Sequence, residues 1–167
     1  MADLANLIPE ALFPVSMAAP QLGNGITSDY INVSLAQMAW IVVHARVAAA
    51  AAIVLTPLKA YSAAAGGATA LTVAVPIWAG IITTASNVLT RQTDGVAYTT
   101  PATAGDHICI FQIDPATLGY EATVPSLGAY KYLGGTYVAL VADYVGVTMW
   151  IKPRYDSKVA NQPNYLV

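Results

Sequence analysis

The run Ile41 to Val47, "IVVHARV", constrains this chain more than any other stretch, because its polar side chains fall on alternate positions. Under a period of two, Ile41, Val43, Ala45 and Val47 share one face, and Val42, His44 and Arg46 share the other. A helix would scatter the same residues around its circumference. The run sits inside "WIVVHARVAAAAAIVLTPLKA", Trp40 to Ala60, which is apolar enough to raise the question of a membrane span. As a helix from Gln37 to Leu55 it would carry Arg46 near the bilayer centre, at a cost of about 2.5–3.5 kcal/mol. A second apolar stretch, Tyr61 to Thr90, is interrupted by Gly66, Gly67, Pro76, Gly80 and many hydroxyl residues. It lacks the continuous run of about 20 apolar positions that a spanning helix needs. Strands are the expected reading, with no membrane as partner.

Other segments follow the same period. In "YINVSL", Ile31, Val33 and Leu35 alternate with Tyr30, Asn32 and Ser34. Further strands are expected at Ile53–Leu58, Ala70–Trp78, His107–Ile113, Thr136–Tyr144 and Val145–Ile151, each rich in β-branched or aromatic residues. The alanines from Ala48 to Ala52 are too few to sustain a helix and read as a hairpin connection or bulge. "DPATLGYE" predicts a short helical turn with Asp114 as N-cap and Pro115 at its first position. Turn signals recur at Gly66-Gly67, Asp94-Gly95, Asp114-Pro115 and Gly134-Gly135. Short strands so punctuated predict an all-β fold, a single-domain β-sandwich or jelly roll. Residues 1–28 hold three prolines, Pro9, Pro14 and Pro20, and lack the alternation. They are expected to form an extended N-terminal arm, residues 29–155 the sandwich, and residues 156–167 a C-terminal tail.

Composition matters at this point, because an all-β domain must coat two outer faces. Only 10% of the 167 residues are charged, against about 25% in ordinary soluble domains. Other protein surfaces are therefore expected to cover part of this one. The net charge of −2 with no basic cluster argues against direct nucleic-acid binding. "MADLANLIPEALFPVSMAAPQLGNG" has neither the positive nor the apolar region of a signal peptide. The single cysteine, Cys109, rules out an intramolecular disulfide.

Candidate chemistry is sparse. Asp106, His107 and Cys109 lie close in sequence, but a metal site needs about four ligands and no second cluster is visible. A core cysteine beside a polar strand end is the simpler reading. No nucleophile elbow, phosphate loop or paired-carboxylate motif occurs, so neither an enzyme nor a cofactor is expected, and no small-molecule substrate. His44 and Arg46 form a candidate cationic interface pair, or a solvated strand face. Seven of the ten tyrosines lie in the C-terminal third, among them Tyr120, Tyr130, Tyr132, Tyr137, Tyr144 and Tyr155. Tyrosines supply interface area or stack sugars. A sugar site would add Asp, Asn or Arg beside the ring, and "KPRYD", with both Arg154 and Asp156 flanking Tyr155, is the one such grouping, so the interface reading is preferred. The candidate interface residues are accordingly His44, Arg46, Tyr130, Tyr132, Arg154 and Tyr155.

The segments "VSLAQMAWIVV", "LTVAVPIW", "FQIDPATL" and "MWIKPRY", in that order from Val33 to Tyr155, resemble a group of small tailed-bacteriophage structural proteins. Ala36, Gln37 and Met38 stand where that group carries Lys-Asn-Tyr. The resemblance implies a non-enzymatic virion component, most directly a decoration (cement) protein on the capsid exterior that stabilises capsomer contacts. Its implied partners are the major capsid protein and copies of itself, as a trimer. A tail or tail-tip component and a glycan-binding cell-surface β module are the alternatives.

Overall fold

The computed structural model describes residues 12–22, 25–48, 51–83, 88–120, 128–138 and 143–154. Twelve strands are found among them: β1 Phe13–Leu22, β2 Ile26–Thr27, β3 Ile31–Asn32, β4 Ala36–Val47, β5 Val54–Ala60, β6 Thr69–Ala70, β7 Ile77–Ile82, β8 Thr90–Arg91, β9 Tyr98–Thr99, β10 Gly105–Ile113, β11 Tyr132–Val138 and β12 Tyr144–Pro153. The first sheet runs β1-β12-β4-β10-β7-β8 and the second β2-β11-β5-β6, with β3 also on β11 and β9 also on β5. Every pairing is antiparallel.

The chain changes sheet at eight of its eleven connections. Treating β2 and β3 as one interrupted strand along β11, the strands β1-β12-β4-β10 face β2/β3-β11-β5-β9. That is the strand order of a jelly roll, with β7 and β8 widening the first sheet. The all-β sandwich is as expected, and the stretch Trp40 to Ala60 is two strands in opposite layers.

One core fills the space between the layers. Ile41, Val43, Phe111, Val147 and Met149 from the first sheet meet Leu55, Leu133 and Tyr137 from the second in a single buried cluster. Two glycines in β11 make room for aromatic rings. A Cβ on Gly134 would lie 2.8 Å from the Tyr30 ring, and one on Gly135 would collide with the Tyr137 hydroxyl. Tyr137 is fully buried, and among the described residues its hydroxyl has no hydrogen-bond partner. The neighbouring Ser28 hydroxyl, which donates to the Asp29 carbonyl at 3.2 Å, favours ionisation of that phenol. Burial dominates and pushes the Tyr137 pKa well above the tyrosine range.

Four sequence expectations change. Phe13–Leu22, assigned to an arm, is an edge strand paired along β12. Its prolines misled the reading: Pro14 and Pro20 cannot donate to a ladder, but an edge strand bonds on one side only. Ile26–Thr27, also inside the expected arm, is β2 paired on β11, while residues 1–11 and 23–24 of the arm, and 155–167 with Tyr155 and the tail, lie outside the described residues. The connection after β4 is not a hairpin, since β4 and β5 belong to different sheets. The run Ala70–Trp78 is not one strand. It leaves β6 in the second sheet, exposes residues 72–74, bridges at Val75 to Gly95 and enters β7 in the first. Leu35, read as facing with Ile31 and Val33, turns outward in the turn before β4. The turn at Pro115–Thr117 is a single 3-10 turn as expected, the Ala116 N–H donating to Asp114 Oδ1 at 2.9 Å.

Candidate functional site

β4 lies in the middle of the first sheet, so its alternation sorts side chains between the core and an outer face. Ile41, Val43, Ala45 and Val47 are fully buried, Trp40 and Val42 are half-buried, and His44 and Arg46 are exposed. The strand register then assembles the outer face row by row. Trp150 pairs with Trp40, which pairs with Gln112. In the next outward row, Thr148, Val42, Ile110, Trp78 and Arg91 follow one another across five strands. Further along come Gly146, His44, Ile108 and Gly80, and then Tyr144, Arg46, Asp106 and Ile82. All three tryptophans of the chain therefore sit on one face of one sheet, each partly open to solvent.

The middle of this face is apolar and its margin is charged. At one end Arg46 is directly opposite Asp106, and His44 Nε2 lies 3.9 Å from Asp106 Oδ1, with both side chains well exposed. At one flank Arg91 stacks its guanidinium 4.9 Å from the Trp78 ring centroid and pairs with Asp94. An apolar centre inside a polar rim is the anatomy of a protein contact surface. A groove of about 350 Å³ runs along the β1 side, lined by Ser16, Pro20, His44, Arg46, Tyr144 and Thr148 among others.

The candidate residues do not form one site. His44 and Arg46 share the outer face. Tyr130 is 8% exposed and belongs to the core cluster, so it is not a surface contact. Tyr132 is half-buried on β11 in the second sheet, between Ala60 and Asn32. Arg154 is exposed at the end of β12, where its N–H donates to the Leu35 carbonyl at 2.8 Å. It lines a second groove of about 360 Å³ together with Lys131 and the 77%-exposed Tyr120.

Asp106, His107 and Cys109 divide between the faces. Asp106 points outward, while His107 and Cys109 point into the core. His107 Nε2 is 2.8 Å from the Thr103 carbonyl, a hydrogen bond that satisfies the buried ring. Burial pushes the Cys109 thiol up to about 12, which leaves it protonated and unreactive at neutral pH. Among the described residues no group of three or more His, Cys, Asp or Glu side chains comes together, and no helix is long and apolar enough to cross a membrane.

Sequence reading overlooked Trp78 and Ile110 as part of the face. The signal was present: Ile108, Ile110 and Gln112 have the same parity as the polar Asp106. The buried Lys59 was also overlooked, since nothing local distinguishes it from a solvated strand lysine.

In comparisons with known proteins, no family model, no curated protein and no solved structure matches this chain.

Proposed function

We propose that this protein is a non-enzymatic structural subunit of a bacteriophage virion, a decoration protein that binds the capsid exterior and reinforces contacts between capsomers. The observation that carries the reading is the outer face of the first sheet. A chain with 10% charged residues presents Trp40, Val42, Ile110, Trp78 and Trp150 on one continuous surface. Such a surface works by contact with protein, since a lone soluble domain keeps its exposed apolar patches to a few hundred Å². The segment order from Val33 to Tyr155 resembles phage structural proteins, and jelly rolls recur among viral coat proteins. Fold alone does not assign a role, so the resemblance and the face act together. The partners are then the major capsid protein and further copies of this chain.

The test is immunogold electron microscopy of the virus particles produced where this chain is expressed. Label on heads supports decoration. Label confined to tails moves the protein to the tail, and particles without label overturn the virion reading.

One observation favours a second reading. The exposed Tyr120 ring beside Lys131 and Arg154 has the makings of a platform for an anionic sugar, and jelly rolls also occur in lectins. Glycan-array binding abolished by Tyr120→Ala would support that reading.

A further inference from the structure

We infer that the outer face of the first sheet is the contact surface for a second copy of this chain, the two sheets packed face to face about a two-fold axis that runs along the strands between β4 and β10. This goes beyond the virion reading by naming the occupant of that face and the symmetry.

Size is the first argument. The 49 residues of its six strands, each covering about 3.3 by 4.8 Å, give the face roughly 780 Å². A standard protein interface takes about 800 Å² from each partner. The face is therefore large enough for a stable pair without help from other surfaces.

Charge placement selects the axis. Arg46 and Asp106 occupy the same row on adjacent strands, so the exposed charged end of the face is positive on β4 and negative on β10. A two-fold axis along the strands exchanges β4 with β10 and keeps every row in its place. Arg46 then lies over Asp106 of the partner subunit, and Asp106 over the partner's Arg46. The apolar centre stays apolar, with Val42 over the partner's Ile110. Trp78 falls over the partner's Thr148, and Trp150 over the partner's Pro76, next to the β10 row of Gln112. An axis across the strands would instead lay the Arg46 and Asp106 end onto the end formed by Trp40, Trp150, Met38 and Lys152, where Arg46 meets no carboxylate. That arrangement desolvates charge against indole rings and leaves Arg46 unpaired. Sandwiched sheets pack about 10 Å apart with strands within about 30° of each other, and a two-fold axis along the mean strand direction permits this. The interface is isologous, so each contact occurs twice.

The experiment uses the full chain and three samples: Arg46→Asp, Asp106→Arg, and their equimolar mixture, each followed by sedimentation velocity beside wild type. Circular dichroism accompanies each sample, because both substitutions are on exposed positions and leave the fold intact. Wild type is expected as a dimer. Arg46→Asp sets two carboxylates against two others across the interface, and Asp106→Arg sets two guanidinium groups against two others. Each alone is expected to weaken the dimer at least about tenfold. Mixing restores opposite charges across the interface although each subunit keeps its internal like-charge pair, so the mixture is expected to return to dimer. A wild type that is monomeric or trimeric at high concentration overturns the inference. So does a mixture that stays dissociated, because the rows then do not face one another as described. Head labelling of particles by a monomeric protein would overturn this pairing while leaving the virion reading in place.

Discussion

Lys59 holds its ammonium 4.5 Å above the ring centroid of Tyr130 and donates to the Leu118 carbonyl at 2.7 Å and to Thr72 Oγ1 at 3.1 Å. The side chain is only 4% exposed, so β5 is tied by a cation to the turn that follows Pro115–Thr117. Hydrogen bonds from a charged donor are stronger than neutral ones, and a buried ring face adds to them. Lys59→Met removes the donor and leaves the Leu118 carbonyl buried without it. The expected loss is about 1–3 kcal/mol in urea unfolding. Tyr130→Leu keeps the donor and removes the ring, and is expected to lose about 0.5–2 kcal/mol from the cation contact besides its packing.

Neighbouring valines on β4 give the sharpest contrast. Val43 is fully buried between the sheets and Val42 is half-buried on the outer face. Val43→Asp places an unpaired carboxylate in the core and is expected to abolish folding, read as loss of the β signal in circular dichroism. Val42→Asp is expected to fold, with a stability change of about 1 kcal/mol or less, and to be impaired in association. Equal damage from both would mean the outer face is packed as tightly as the core.

Alkaline pH should weaken the fold. The folded state keeps the Cys109 proton up to about 12 where the free thiol releases it at 9.0, and burial likewise raises Tyr30, Tyr98 and Tyr137 above 10.0. A raised folded pKa contributes stability that is complete below the unfolded value and is lost as pH rises toward the folded one. The contribution of these four groups should therefore be constant below pH 9 and decline above it. The thiol alone contributes a slope of up to about 1.4 kcal/mol per pH unit. Cys109→Ala should flatten the profile between pH 9 and 10, leaving the tyrosine contribution above. Urea unfolding across a pH series measures both slopes, and identical profiles would contradict the assignment to Cys109.

Removing β1 should expose a sticky edge. Residues 13–22 pair along the edge of β12, and their own Met17 is fully buried in the core. A chain starting at residue 23 leaves the β12 ladder unpaired along that edge, which invites strand-to-strand aggregation. The expected result is a lower melting temperature and concentration-dependent light scattering. A truncated chain as stable and as dispersed as the full one would return residues 13–22 to the status of a dispensable arm.

Alternation alone determined which side chains of β4, β10 and β12 enter the core. Side chains of a strand must point to opposite faces, so Ile41, Val43, Phe111, Val147 and Met149 declare themselves from local order. The Asp114 cap was legible for the same reason, because its partner is two residues away. Pairing was not legible, because the partner of a strand is chosen by closing one core from two layers. Only that closure sends β4 and β5 to opposite sheets, and only it brings Trp78 into line with Val42 and next to the Trp40 and Trp150 row. It also draws Lys59 inward, where the Leu118 carbonyl and the Tyr130 ring compensate its charge. The proline-bearing segment Phe13–Leu22 has no strand pattern of its own, and it is ordered by the unpaired edge of β12, a surface that exists only once the sheet has formed.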